Sequence, residues 1–367
     1  MKKILSYLSI LLFSFYFNHC TGDNPNHYIP SNIDSTYQIE NAPQSIEIDY
    51  SSLPEYVYTK SFSKNDIKNL IPNKYLPNIV DVKLIGSIGN VAYFATVILK
   101  PDASDTGIND MDNLCYRDIF SYDMDTGNLE HILNMSELNT RIYQIYSSNN
   151  LTFIYTSDGK IYKFDSKSSQ FDILTKDSHY FTIYKDGIIF IDAEKNAVIS
   201  FSNDNFNEYK YRMRLPTDIL YGMPPFYQTK TLETTYFYIL NDNLEIVNVL
   251  KEDFNSNIYP MKNIFFIPTH GKTDTILIKN YNNETIKKIS ANDILLYRMD
   301  YDTLFRLKSD GSLYGYKYDQ NENKILFSEI NQYAAKISDF ISDGGYLIAC
   351  RSTNSNEDII YDVYQRS

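Results

Sequence analysis

One pattern of a strand, a Ser-Asp-Gly turn and a second strand ending in an aromatic residue and Asp occurs twice in this chain. Residues 153–165 read Phe-Ile-Tyr-Thr-Ser-Asp-Gly-Lys-Ile-Tyr-Lys-Phe-Asp, and residues 304–319 read Leu-Phe-Arg-Leu-Lys-Ser-Asp-Gly-Ser-Leu-Tyr-Gly-Tyr-Lys-Tyr-Asp. The closing residues Asp165 and Asp319 are 154 positions apart, which is close to four periods of about 40 residues. The chain is therefore built from repeated units of small antiparallel sheets.

Seven turn signals follow this period. Each marks the hairpin between the third and fourth strands of a unit, and the successive spacings are 42, 37, 49, 30, 38 and 46 residues. The turns are Tyr122-Asp123, Phe164-Asp165, Phe201-Ser202, Leu250-Lys251, Asn280-Tyr281, Tyr318-Asp319 and Tyr364-Gln365. A mean of about 40 residues accommodates four short strands. The sequence predicts an all-β fold, a single β-propeller of seven four-stranded blades, with six or eight blades as alternatives.

The local patterns agree with strands and one helix. The 34 Tyr and 21 Phe residues suit strands, because aromatic side chains cover a pleated, half-buried surface well. Asp-Gly between alternating runs is a strong hairpin signal. The sequence predicts one helix, at residues 64–71, where Ser63 and Asp66 form a capping-box pattern and Pro72 ends the segment.

The last unit lacks a fourth strand. Its strand-like segments are 336–341, 346–350 and 358–364, and no further segment follows. An open array would leave exposed sheet edges. We expect residues 55–61 to supply the missing strand and to close the propeller, with residues 46–50 as the rival candidate.

The N-terminus has the pattern of an export signal. Lys2-Lys3 precedes the apolar stretch 4–17, and Cys20 follows at the point where the sequence turns polar. This junction resembles a bacterial lipoprotein box, which implies a signal peptide 1–19, lipidation of Cys20, a flexible tether 20–45 and a propeller domain 46–367. The alternative is plain secretion with cleavage after Gly22.

The repeats resemble those of bacterial β-propellers. The segment 153–165 and the hairpin Tyr-Asp-Met-Asp-Thr-Gly-Asn at 122–128 are similar to repeats of the low-density-lipoprotein-receptor-like, Tol-type and quinoprotein-like propellers. The resemblance covers roughly residues 80–367, and the chain lacks the Trp that such repeats often carry. It implies binding and scaffolding more often than catalysis, by analogy of fold.

Composition and motifs exclude several classes of function. The net charge is −12, and an acidic domain is a poor binder of nucleic acid. His27, His131, His179 and His270 are scattered without partners at ligand spacing, so we expect no metal site. Phosphate-loop, nucleophile-elbow and metalloprotease motifs do not occur in the sequence, and we expect no cofactor.

Two segments are candidate binding loops. The longest insertion, residues 100–116, separates two strands of the first unit, and long loops on rigid scaffolds often carry function. The second segment, 221–227, is an aromatic and Pro-rich connection. A solvated loop and packing against its own blade are the respective alternatives. The candidate residues are Asp102, Asp105, Asp110, Asp112, Tyr221, Phe226 and Tyr227.

Cys115 and Cys350 form a candidate disulfide. Export makes a bridge chemically permissible, and lipidation of Cys20 would leave an even pair. The unit count places Cys115 at the start of the third strand of the first blade and Cys350 at the end of the second strand of the seventh, at the same rim of neighbouring blades. The alternative is a pair of buried thiols.

These features predict an exported, lipid-anchored propeller that acts as a binding or scaffold module. We expect a monomer that touches the membrane only through its lipid, faces the periplasm or the cell surface, and binds an envelope or surface protein or a glycan. A secreted or periplasmic protein is the alternative location. The alternative function is a hydrolase or lyase acting on glycans or peptides in a central funnel, for which these arginines are worth mapping: Arg117, Arg141, Arg212, Arg214, Arg298, Arg306 and Arg351.

Overall fold

The structure is a computed structural model. The residues described below are 43–50, 56–100, 113–135, 138, 140–148, 151–165, 167–168, 170–178, 181–184, 187–192, 194–195, 197–202, 205–210, 218–220, 226–230, 234–240, 246–253, 258–261, 263–269, 275–291, 293–300, 303–319, 321–330, 337–342, 345–352 and 358–367. They all belong to one compact unit, Asp34–Ser367, and a second unit, Met1–Ile33, lies outside them. Within these ranges, no helix has the length and apolar character that a membrane crossing needs.

The described strands form seven sheets, most of them four-stranded. Sheet 1 contains β3 (Ile79–Ile88), β4 (Val91–Leu99), β5 (Leu114–Asp123) and β6 (Leu129–Asn134). Sheet 2 contains β7 (Ile142–Ser148), β8 (Leu151–Thr156), β9 (Ile161–Asp165) and β10 (Gln170–Thr175). Sheet 3 contains β11 (Phe181–Tyr184), β12 (Gly187–Asp192), β13 (Ala197–Ser202) and β14 (Asn205–Lys210). Sheet 4 contains β15 (Asp218–Leu220), β16 (Phe226–Lys230), β17 (Thr234–Leu240) and β18 (Ile246–Asp253), and sheet 5 contains β19 (Tyr259–Met261), β20 (Ile264–Thr269), β21 (Thr275–Asn280) and β22 (Thr285–Ser290).

Sheets 6 and 7 also include strands from the N-terminal side. Sheet 6 contains β23 (Ile294–Asp300), β24 (Thr303–Lys308), β25 (Leu313–Asp319), β26 (Lys324–Glu329) and β1 (Glu47–Asp49), and sheet 7 contains β27 (Ile337–Ser342), β28 (Tyr346–Ser352), β29 (Ile359–Arg366) and β2 (Tyr56–Ser63). Consecutive strands pair antiparallel in every sheet. This all-β arrangement of repeated four-stranded sheets is the one found in propeller blades.

The second strands of sheets 3, 5 and 6 are buried on both faces. All six residues of β12 are buried, and the first five residues of β20 and of β24 are buried. A strand buried on both sides reads as a continuous apolar run instead of an alternating one. Neighbouring sheets therefore cover both faces of the second strands.

The hydrophobic core consists of apolar clusters between neighbouring sheets. Separate clusters join sheets 1 and 2, 2 and 3, 4 and 5, 5 and 6, and 6 and 7. Strand β15 of sheet 4 contacts β11 and β12 of sheet 3. One further cluster joins sheet 7 to sheet 1, where Tyr361 and Val363 pack with Val82 and Phe94. Each sheet thus packs on its neighbours in sequence, and the last packs on the first.

The predicted helix and the predicted N-terminal strand are present. Helix α1 (Lys64–Leu70) begins at a capping box, in which the Asp66 amide donates to Ser63 Oγ at 3.0 Å and the Ser63 amide donates to the Asp66 carboxylate at 2.7 Å. A 3-10 turn follows at Asn73–Tyr75. Strand β2 pairs antiparallel with β29, as expected of residues 55–61, and the rival segment forms β1, which pairs parallel with β26.

The predicted position of the fourth turn was wrong. The fourth turn does not lie at Leu250-Lys251, which is inside β18; the hairpin connects Leu240 to Ile246. With the turn at Leu240, the spacings on either side become 39 and 40 residues instead of 49 and 30.

Candidate functional site

The two predicted binding loops lie at opposite ends of the strands. Residues 100–113 connect the second strand of sheet 1 to the third. At the base of this loop, the backbone amide of Lys100 donates to the Asn113 carbonyl at 2.8 Å. Residues 221–225 connect the first strand of sheet 4 to the second. Since strands alternate in direction, the strand ends Leu99 and Leu114 that flank the first loop lie at the edge where first strands begin. The strand ends Leu220 and Phe226 that flank the second loop lie at the edge where first strands end.

Most of the predicted loop residues fall outside the described residues, namely Asp102, Asp105, Asp110, Asp112 and Tyr221. Phe226 and Tyr227 were predicted in a connection, and this was wrong, because they begin strand β16. Phe226 pairs with Leu220 and Ile239 in the adjacent strands. Aromatic residues favour the pleated surface of a strand, which explains the earlier start of β16.

Cys115 and Cys350 lie on the strands predicted for them. Cys115 is the second residue of the third strand of sheet 1, and Cys350 lies near the end of the second strand of sheet 7. Both are thiols in the structure. Burial raises the pKa of the Cys350 thiol above its ordinary value, with Asp339 acting in the same direction. The lipidation candidate Cys20 lies outside the described residues.

The edge where first strands begin, called here the bulge edge, carries a repeated irregularity. In sheets 1, 2, 6 and 7 the register of the first strand shifts at its second residue, so that Val80, Tyr143, Leu295 and Ser338 are skipped in the register with the second strand. The Ser338 hydroxyl still donates to the Cys350 carbonyl of the second strand at 3.1 Å. In sheets 3, 4 and 5 the pairing of the first strand is continuous. A β-bulge re-aims the extra side chain and is common next to functional sites.

The bulged residues are exposed despite their position on first strands. The exposed fraction is 40% for Val80, 43% for Tyr143 and 41% for Leu295, and Ser338 is also exposed. Moving a large apolar side chain out of water is favourable, because it lowers the free energy of the system. Three equivalent positions on separate sheets thus present exposed apolar side chains at one edge.

Charged side chains flank the bulges. In sheet 6 the Arg298 guanidinium contacts sheet 7, where its Nη2 lies 3.2 Å from Asp339 Oδ1 and its Nη1 donates to the Phe340 carbonyl. The guanidinium also lies over the Phe340 ring at 4.9 Å. In sheet 2, Arg141 Nη2 donates to the Tyr143 hydroxyl at 3.3 Å. Arginine side chains therefore lie beside the bulges at Tyr143 and Ser338.

Lys83 is a half-buried cation on the first strand of sheet 1. Burial lowers the pKa of Lys83, Asp81 opposes this shift, and Arg141 and Lys64 add to it. The Asp81 carboxylate is engaged by Lys64 Nζ at 2.9 Å. Among the residues that the structure describes, no carboxylate forms an ion pair with Lys83, which lies in the middle of β3.

Sequence reasoning missed a buried polar cluster in sheet 1. The Asp118 carboxylate accepts from Arg117 Nε at 2.7 Å and Asn134 Nδ2 at 2.8 Å, and its Oδ1 lies 3.0 Å from His131 Nε2. The His131 ring stacks on Tyr75 at 4.4 Å. These contacts cross strands and fasten the 3-10 turn to sheet 1, and no spacing in the sequence indicates them.

The mapped arginines do not converge. Arg117 pairs with Asp118 in sheet 1 and Arg351 pairs with Asp362 at 2.6 Å in sheet 7, whereas Arg306 lies inside sheet 6. Arg212 and Arg214 lie outside the described residues. Among the side chains that the structure describes, no group of three His, Cys, Asp or Glu residues could hold a metal ion.

Comparisons with known proteins give likenesses to solved structures only. Neither a protein-family model nor a curated protein matches the chain. A chain of the mitotic checkpoint complex matches with a TM-score of 0.47 at 8% identity, covering 95% of this chain and 97% of that one. BamB from Moraxella catarrhalis matches with a TM-score of 0.45 at 8% identity, covering 84% and 99%. The computationally designed Ika8 protein matches with a TM-score of 0.42 at 10% identity, covering 78% and 83%.

Proposed function

We propose that the chain forms a closed β-propeller of seven blades whose bulge edge binds another protein. The seven sheets, the pairing of β2 with β29 and the cluster between sheets 7 and 1 support ring closure. Strand β2 precedes sheet 1 in sequence and belongs to sheet 7, so it ties the two ends of the domain together. Such closure removes the open ends of the array.

We propose further that the protein is exported and held to a membrane by lipid on Cys20. The basic and apolar start of the sequence, the cysteine at the polar junction and the Asn- and Ser-rich residues 21–45 support this. A tether of this length lets the domain reach a partner in the cell envelope or at the cell surface.

The observation that carries the binding proposal is the repeated bulge. Val80, Tyr143 and Leu295 occupy the same position in three sheets, are exposed, and lie on neighbouring first strands together with the bulge at Ser338. Rigid strands hold these side chains, and pre-organisation favours affinity.

The surroundings of the bulges indicate the chemistry of the partner. Lys83 and Arg141 add positive charge near the apolar side chains, whereas the Arg298 guanidinium is paired with Asp339. Aromatic residues and arginine are enriched among the residues that dominate protein interfaces. An envelope or surface protein with an acidic and apolar segment fits this edge best.

Substitution at the bulge edge tests the proposal. The double variant Tyr143→Ser, Leu295→Ser is expected to lose capture of the partner from envelope extracts, because it removes two exposed apolar anchors. The matched control is Tyr58→Ser, Ile173→Ser, which changes side chains of similar exposure on the outer strands β2 and β10. Equal capture by both variants would contradict the proposal. Capture of a glycan and no protein would show that the partner is a glycan, contrary to the proposed protein partner.

A further inference from the structure

Arg306 is a buried cation that the binding proposal does not use. It lies on β24, the second strand of sheet 6, and its exposed fraction is only 8%. Its Nε is buried and has no hydrogen-bond partner. Throughout the described part of the chain, no carboxylate lies within ion-pair distance of its guanidinium, in contrast to Arg117, Arg298 and Arg351.

Aromatic rings hold the guanidinium in place. Its central carbon lies 4.9 Å from the centroid of the Tyr314 ring and 5.8 Å from that of Tyr316. The Tyr314 ring in turn stacks on Phe327 at 5.4 Å and 20°. Tyr297 on β23 and Tyr314 on β25 are the direct cross-strand neighbours of Arg306. A row of tyrosine, arginine and tyrosine thus crosses sheet 6.

The row faces sheet 5. Leu304 and Tyr316 belong to the apolar cluster that joins sheets 5 and 6, and Arg306 points to the same side of β24 as Leu304. From sheet 5, the Tyr259 hydroxyl donates to the Tyr297 carbonyl at 3.5 Å. The cation therefore lies in the seam between two sheets.

The tyrosines cannot neutralise Arg306. Burial raises the pKa of Tyr316 to about 12, although Arg306 lowers it. The neutral rings attract the cation through their faces only. An isolated buried charge is strongly disfavoured unless it is paired and hydrogen-bonded. Because arginine offers its five donors as a planar fork that fits carboxylates and phosphates, the missing partner is an oxyanion.

We propose that Arg306, between Tyr297 and Tyr314, forms a binding site for an oxyanion group of a ligand in the seam between sheets 5 and 6. The guanidinium supplies the charge-assisted hydrogen bonds, and the tyrosine rings supply a rigid apolar wall. A carboxylate and a phosphate monoester both fit this chemistry.

Calorimetric titration at constant ionic strength tests the site with sodium acetate, inorganic phosphate and sodium sulfate as probes. We expect saturable binding of at least one probe to the wild-type protein, and the preferred probe separates a carboxylate ligand from a phosphate ligand. Arg306→Gln is expected to weaken this binding at least tenfold, and Arg306→Lys to weaken it less. Arg351→Gln, which breaks the ion pair with Asp362, is expected to leave the affinity unchanged.

A measurement on the wild-type protein covers the case in which a variant does not fold. The Nε–H resonance of Arg306 is expected to shift on addition of the preferred probe, with the same midpoint as the calorimetric titration. Absence of saturable binding of all three probes, an unchanged affinity in Arg306→Gln, or a resonance that does not move would each overturn the proposal.

Discussion

At the scale of single residues, the two Ser-Asp-Gly turns are hairpins of the same kind. Gly159 and Gly311 adopt φ values of 79° and 87°, a region that side chains with a Cβ rarely enter. Ser157 donates its amide to the Arg141 carbonyl at 2.8 Å, and Ser309 donates to the Asp293 carbonyl at 2.9 Å. Each turn therefore links the hairpin of the second and third strands to the residue that directly precedes the first strand of the same sheet.

Gly159→Ala is expected to lower the free energy of unfolding by about 1 kcal/mol, because alanine disfavours a left-handed backbone. The nearest atom to an added Cβ is the Ser178 carbonyl oxygen at 3.5 Å, an ordinary contact, so the cost is conformational. Urea unfolding measures it. Asn78 also has a positive φ, of 64°, and Asn78→Gly is expected to keep or raise the stability. A destabilising Asn78→Gly together with a neutral Gly159→Ala would contradict this.

Asp310 predicts a pH dependence of stability. The Ser312 amide, the Ser312 side chain and Lys308 lower the pKa of Asp310 to about 2. A carboxylate with a depressed folded-state pKa stabilises the fold above its unfolded pKa, and this stabilisation is lost as pH falls toward 2. Asp310→Asn is expected to be less stable than wild type at pH 7, with a difference that shrinks between pH 5 and pH 2. Urea midpoints across this range measure it, and a pH-independent difference would refute it.

The two cysteines give a chemical prediction. Thiolate is the reactive form of cysteine, and burial raises the pKa of Cys350. We expect an alkylating reagent to label Cys350 far more slowly in the folded protein than in urea. Mass spectrometry without reductant is expected to find both Cys115 and Cys350 alkylated after unfolding. A mass corresponding to a Cys115–Cys350 bridge would contradict the thiols of the structure and restore the disulfide predicted from the sequence.

At the scale of elements, helix α1 stabilises the junction between sheets 7 and 1. Its buried residue Ile67 belongs to the apolar cluster that contains Phe62 from sheet 7 and Phe94 from sheet 1. Lys64 reaches Asp81 on β3 at 2.9 Å. The helix therefore links β2, which precedes it, to β3, which follows.

Ser63→Ala removes one half of the capping box and is expected to lower the free energy of unfolding by about 1 kcal/mol. Chemical denaturation measures the change. Ser61→Ala on the same strand is the control, because Ser61 is exposed and caps no helix. Equal effects of the two variants would show that the cap contributes nothing.

Elements were predicted well where the local sequence specifies them. The capping pattern at Ser63 and the Asp-Gly turn at 158–159 depend on neighbours in sequence, and both are present. The sequence prediction placed the fourth turn at Leu250, where an apolar residue precedes a charged one. The segment Asn-Asp-Asn at 241–243 is also a turn signal, and it lies in the connection that follows Leu240. The bulges and the Asp118 cluster depend on register between strands, which the sequence does not encode locally.

At the scale of the whole molecule, the N-terminal strand β2 is the element on which the proposed ring closure depends. Deletion of residues 46–62 removes β2 and β1, exposes the edge of β29 and uncovers the cluster around Phe62. We expect this deletion to abolish cooperative thermal unfolding of the domain. Deletion of 21–42, which contains no described strand, is the control and is expected to leave the transition unchanged. An unchanged melting transition after deletion of 46–62 would refute closure by this strand.

The proposed lipid anchor is tested separately from the fold. Replacement of Cys20 by Ala is expected to move the protein from the membrane fraction to the soluble fraction without changing its thermal unfolding, because the tether lies before the first strand. Metabolic labelling with a fatty-acid analogue followed by fractionation measures this. Membrane retention of the Cys20→Ala protein would contradict lipid anchoring at that residue.

Site-specific photo-crosslinking tests the central claim, that the bulge edge is the binding surface of a propeller, most directly. A photoreactive amino acid is placed at Tyr143 or Leu295 on the bulge edge, and at Tyr58 or Ile173 on outer strands of similar exposure. After illumination of intact cells, the account predicts one discrete crosslinked product from positions 143 and 295 and none from positions 58 and 173. The same product from the outer strands, with none from the bulge edge, would contradict it.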